Sequence, residues 1–543
     1  MFKIWNTSSL FGCALIIGLT LAQGTPAPAP AVPSFVDETA SVGLGPKFLG
    51  DYVVGGGVAT FDCDGNGLPE IYLSGGTNKA KFYRNLSAVG GALRFREETS
   101  GLELEKVMGA YPLDIDNDGL TDLAILRDGG NVLMRGLPGC RFENANRRWN
   151  FGGGRAWTTA FAATWERGQA MPSLAWGNYT EMNSRYPWGT CKGNALFRPS
   201  GNQYGAATSL EPSFCALSMQ FTDWNRSSVP SLRVSNDREY YEGKGREQLW
   251  QVLPGQAPRE YTEADGFRRL QIWGMGIASY DLLGTGYPVY YLTSMGDNKL
   301  QSLISTQSPL RPTYQDIAFR RNATAHRPYT GGDVHMSTAW HVQFDDANND
   351  GLIDLFVAKG NVGFMRGAAA KDPNNLMLGQ PDGSFTEVGD RAGVASMLRG
   401  RGAQMVDFNA DGLLDLVVVN RLDNPQLWRN LGSGTPLAAR PMGNWVQVRL
   451  AQTGNNRDAI GSWFEVQLPS GRVLRRELTV GGGHVSGNLG WTHFGLGSAE
   501  RVRIRVQWPD GAWGEWLEAP ANSFYLLDRA TGLKPFTPQS SAP

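Results

Sequence analysis

Four short stretches place oxygen-bearing side chains at alternate positions. They read DCDGNGLPE from Asp62, DIDNDGLTD from Asp114, DANNDGLID from Asp346 and DFNADGLLD from Asp407. In a tight loop the side chains at positions one, three and five can point at one centre. The carbonyl of position seven and the acid at position nine can then close the shell. Hard divalent cations take roughly six to eight such oxygens, and Ca2+ tolerates irregular geometry. The candidate ligands are Asp62, Asp64, Asn66, Leu68 and Glu70; Asp114, Asp116, Asp118, Leu120 and Asp122; Asp346, Asn348, Asp350, Leu352 and Asp354; and Asp407, Asn409, Asp411, Leu413 and Asp415. The leucines would offer backbone carbonyls. Without a cation, carboxylates held this close repel one another. The expectation is therefore about four Ca2+ sites. An EF-hand would need a glutamate at position twelve, but Leu73, Ile125, Val357 and Val418 stand there.

The elements that must hold these loops are strands. Apolar runs such as VATF and HVQF precede them, and IYLS, LAIL, LFVA or LVVV follow. Weaker copies start at Trp165, Asp223 and Asp281, and these are expected to be plain turns. The seven starting positions lie 51 to 65 residues apart, the period of a four-stranded propeller unit. A second motif recurs as FVDETASVGL from Phe35, FREETSGL from Phe95 and FTEVGDRAGV from Phe385. The first copy precedes the first acidic loop, so the N-terminal strand should complete the last blade and close the ring. The expected fold is all-β, a seven-bladed β-propeller over residues 35–432 followed by a smaller β-sandwich-like domain over 441–530.

The acidic loops resemble the FG-GAP (or VCBS) repeats of integrin α chains, and the resemblance implies a propeller with Ca2+ in its loops. Downstream, NNRDAIGS (Asn455 to Ser462), GGGHVSG (Gly481 to Gly487), HFGLG (His493 to Gly497) and WPDG (Trp508 to Gly511) occur in order among alternating strands. Together they resemble the ASPIC/UnbV domain that follows FG-GAP repeats in cartilage-acidic-protein-like proteins. Within this domain Asn456, Arg457 and Asp458 read as a turn with a salt bridge, or else as a polar site.

Residues 1–23 read as a signal peptide, 24–34 as a Pro/Ala spacer, and 531–543 as a disordered tail. The expected location is secreted, periplasmic or cell-surface, with no integral membrane segment in the mature chain. Lys and Arg number 50 against 51 Asp and Glu, which argues against nucleic acid as a partner. The expected partner is an extracellular protein or glycan. Cys63, Cys140, Cys191 and Cys215 can form two disulfides in three pairings, with Cys191–Cys215 the first guess, or can remain free thiols.

No nucleophile elbow, zinc motif or phosphate loop is present, so no residue is assigned as catalytic and a recognition, adhesion or matrix module is expected. The alternative is a calcium-dependent polysaccharide lyase or dehydratase using His326, His335 and His341 with Asp333.

Overall fold

The computed structural model describes residues 1, 30–180, 190–238, 244–363 and 365–540. Apart from Met1, the expected signal peptide lies outside the described residues, as does most of the spacer. Among the described residues no helix is long and apolar enough to cross a membrane.

Short β-rich runs broken by glycine-bearing turns pair with their chain neighbours, because a hairpin is the cheapest way to satisfy backbone groups. Seven four-stranded antiparallel units result. Their inner strands are Val58–Phe61, Val107–Leu113, Thr158–Thr164, Ala216–Thr222, Gly274–Tyr280, Ala339–Asp345 and Gly400–Val406. Each inner strand packs against the next, and the last packs against the first. The ring is closed as expected: Phe35–Asp37 pairs with Trp428–Asn430 and completes the final unit. Each unit keeps only a short outer edge strand, as propellers do. We number the units one to seven in chain order.

The register is common to all seven. The residue before each loop pairs with position nine of that loop: Phe61 with Glu70, Leu113 with Asp122, Thr164 with Ser173, Thr222 with Ser231, Tyr280 with Val289, Asp345 with Asp354 and Val406 with Asp415. All seven loops therefore emerge at the same end of the ring.

The C-terminal domain is a sandwich of two four-stranded sheets. One comprises Thr492–Gly497, Asn444–Ala451, Ser523–Asp528 and Gly532–Phe536; the other comprises Val473–Glu477, Trp463–Gln467, Arg501–Gln507 and Leu517–Pro520. Val446, Val448, Phe464, Val466, Ile504 and Val506 fill its core. The segment expected to be a disordered tail from residue 531 is instead this sheet's edge strand. Phe536 packs on Trp491, ring centroids 5.1 Å apart, and Pro535 is tolerated because an edge strand need not donate on both sides. The chain then reaches loop one, where the Gln539 amide donates to the Asn66 carbonyl.

Between its two sheets the domain sends the GGGHVSG segment into the ring. Val480–Gly481 pairs with units three and four, and Gly487–Leu489 pairs with unit one. His484 and Val485 are fully buried. A Cβ on Gly57 or Gly109 would lie 1.8 or 1.9 Å from the Val485 carbonyl oxygen. Only glycine allows so close a backbone approach, and the axis is plugged.

Candidate metal centres in the strand-connecting loops

The four acidic loops share one backbone. Position four is left-handed at Gly65, Asn117, Asn349 and Ala410, and position six at Gly67, Gly119, Gly351 and Gly412, with φ between +84° and +90° at position six. Glycine at position six meets that demand without strain. The position-one carboxylate accepts the position-six amide: Gly67 to Asp62 at 3.0 Å, Gly119 to Asp114 at 3.0 Å, Gly351 to Asp346 at 2.7 Å and Gly412 to Asp407 at 2.8 Å. The position-nine carboxylate accepts the amide of position two: Cys63 to Glu70 at 2.9 Å, Ile115 to Asp122 at 2.8 Å, Ala347 to Asp354 at 2.8 Å and Phe408 to Asp415 at 3.0 Å. The two outer acids are thus fixed across the mouth of each loop.

These bonds leave oxygens over. Glu70 Oε1, Asp114 Oδ1, Asp116 Oδ1 and Asn409 Oδ1 are buried and lack a hydrogen-bond partner. Buried polar atoms are seldom orphaned, and a bound ion is one of the standard partners for those that are. Oxygens of Asp62, Asp64 and Glu70 lie within 4.8 Å of one another, as do those of Asp114, Asp116 and Asp122. These clusters can hold a metal ion. The electrostatics agree. Burial, then Asp458, Asp118 and Asp116, push Asp114 up to about 7. Burial raises Asp411 to about 6. Burial followed by neighbouring carboxylates holds Glu70, Asp346, Asp354, Asp407 and Asp415 well above the usual range. Such groups resist carrying charge unless a cation is present.

Some ligands also have basic neighbours. Arg84 lies 2.9 Å from Asp64, Arg135 pairs with Asp116 and Asp118, and Arg449 lies 3.1 Å from Asp62. In the loops from Asp62 and Asp114 the structure brings oxygens of positions one, three and nine together. Sequence reasoning missed what covers them. Gln447 donates to Asp407 at 2.6 Å, His493 donates to the Asn349 side-chain oxygen at 2.7 Å, and Asp458 adds its charge to Asp114. A Cβ on Gly412 would lie 1.9 Å from the Trp445 ring. The C-terminal domain therefore sits directly on the loops. No local signal announces these contacts, because each joins residues far apart in sequence.

The loops from Asp223 and Asp281 keep the turn without the ligands. Asp223 accepts the Ser227 and Ser228 amides at 2.8 and 2.9 Å, and Asp281 accepts those of Thr285 and Gly286 at 2.9 and 2.8 Å. Domain side chains complete them: Arg475 lies 3.3 Å from Asp281, and Glu477 accepts the Asp223 amide at 2.7 Å.

Two family models match these same elements. An FG-GAP-like repeat matches residues 62–125 and 346–418, and ASPIC and UnbV matches 452–534. The chain carries FG-GAP-like repeats and an ASPIC/UnbV domain. No curated protein matches it. Among solved structures, BBS1N in complex with ARL6DN aligns at 10% identity over 75% of this chain and 98% of that one, TM-score 0.42. A lectin from Agrocybe aegerita aligns at 13% identity over 70% and 92%, TM-score 0.37.

The histidines set out for an enzyme do not converge. His326 and His335 are exposed, with His335 Nδ1 2.8 Å from Asp333. His341 is buried beside the plug, where its Nδ1 accepts the His484 amide at 3.2 Å. The cysteines pair as Cys63–Cys140 and Cys191–Cys215.

Proposed function

We propose that the chain is an exported Ca2+-binding propeller that serves as an extracellular recognition, adhesion or envelope module. The four acidic loops would each take one Ca2+, held by the side chains at positions one, three, five and nine and by the carbonyls of Leu68, Leu120, Leu352 and Leu413. The observation that supports this most directly is the set of buried, unpartnered oxygens in loops whose backbone is already closed. The cation would supply charge neutralisation. Because the ASPIC/UnbV domain rests on the same loops, neutralising them would also fix the domain against the ring. Two disulfides fit an oxidising compartment outside the cytosol.

Metal analysis of the purified full chain tests this reading. About four Ca2+ per chain are expected, falling by one in an Asp122→Asn variant. A metal-free protein that melts at the same temperature with and without millimolar Ca2+ would overturn it.

A further inference from the structure

Loop three departs from the other six. At position one, where the other six carry aspartate, it has Trp165, and its register is nonetheless the same: Thr164 pairs with Ser173 across the loop. Its contact with the ASPIC/UnbV domain is slight, Arg167 donating to the Asp510 carbonyl at 3.4 Å. A solvent-facing cleft of about 550 Å3 opens there. Loop three forms one wall, and Ser227 to Pro230 of loop four form the second. The NNRDAIGS and WPDG turns of the domain form the third. The size of the cleft falls within the ~300–1,000 Å3 range of ligand pockets, which favour domain interfaces.

The lining specifies a chemistry. Trp165 is partly exposed and offers an aromatic surface. Val229, Pro230, Val252 and Pro509 add small apolar patches. Gln452 and Asn455 bring planar amides, and Ser227 and Ser228 bring hydroxyls. Both acids are paired, Asp510 with Arg529 at 2.7 Å and Glu166 with Arg198 at 2.6 Å, and the exposed Arg167 adds one further positive charge. An aromatic surface beside amides and paired acids suits a molecule with apolar C–H faces and a fringe of hydroxyls. We propose that this cleft binds a short neutral oligosaccharide, with Trp165 stacking on a sugar ring. The assignment rests on the reading of the chain as a recognition module and names the class of ligand it recognises.

The full chain in millimolar Ca2+ is titrated with cellohexaose, maltohexaose, mannohexaose and chitohexaose by calorimetry and tryptophan fluorescence. At least one sugar should bind saturably and change the fluorescence. Trp165→Ala should weaken it about tenfold and Trp165→Phe less. Asn455→Ala, at an exposed turn, should also weaken it. Ca2+ stoichiometry, measured on the same samples, should match the parent chain in every variant, and so should the melting temperature of Asn455→Ala. The assignment falls if none of the four sugars binds, or if binding is unchanged in both Trp165→Ala and Asn455→Ala. It also falls if decaproline, rather than a sugar, binds in a Trp165-dependent way. Sugar binding by a full chain found to carry no Ca2+ would leave this cleft standing while the calcium reading fails on its metal analysis.

Discussion

Units one, two, six and seven differ from units three, four and five in one respect. The first group keeps acids or amides at alternate loop positions, whereas the second has lost them. Yet loops four and five keep the left-handed residues at positions four and six: Arg226 and Ser228 in one, Gly284 and Gly286 in the other. Their first aspartate still caps two backbone amides. That residue is therefore a turn-former first and a metal ligand second. In loop five Arg475 of the ASPIC/UnbV domain lies 3.3 Å from Asp281 and supplies positive charge there, whereas in loop four Glu477 accepts the Asp223 amide.

The largest test is removal of metal. At a hundredfold excess of Ca2+ over Kd each site contributes about 2.7 kcal/mol, so four sites rival a typical net stability of ~5–15 kcal/mol. Excess chelator should lower the melting temperature by more than about 10 °C. A shift under about 2 °C would erase the distinction between the two halves.

Paired substitutions sharpen it. In millimolar Ca2+, Asp122→Asn should remove one ion and cost about 2–3 kcal/mol. Asp223→Asn should leave the ion count unchanged and cost about 1 kcal/mol through its capping bonds. Equal costs and equal ion counts would show that the halves work alike.

The smallest effect concerns pH. Burial, then the charge of Asp223, push Glu477 up to about 8. An acid whose folded-state pKa is raised favours the fold while protonated. That contribution is complete below its unfolded value and is lost as pH climbs through 8. Glu477→Gln should therefore melt a few degrees higher than the parent chain at pH 9, with the gap narrowing below pH 8 and closing near pH 4.5. Parallel melting curves across that range would remove Glu477 as the titrating group.

The repeating units and the four acidic turns were legible in the sequence because both are local. The Asp-x-Asp/Asn-x-Asp/Asn-Gly spacing sets a turn and a ligand set within nine residues, and the copy at Phe35 marked the strand that meets Trp428–Asn430. The plug and the lid over the loops were not legible. GGGHVSG reads as a flexible turn, and nothing near it says that Gly57 and Gly109 leave room for Val485. Gln447, Arg449 and Asp458 sit in ordinary strand and turn patterns; the partner of Gln447 lies 40 residues away, and those of Arg449 and Asp458 lie more than three hundred away. The tail misled because its prolines outweigh Leu533 and Phe536 in composition, although those two side chains and one edge pairing are enough to order it.

The pairing of Phe35–Asp37 with Trp428–Asn430 sets a timetable for the growing polypeptide. The strand made first finds its neighbour only after almost four hundred further residues have emerged, and the axis is filled later still, by residues 480–489. Until then the nascent molecule is an open arc with two sticky ends, so biogenesis favours a chain kept extended until it is nearly complete.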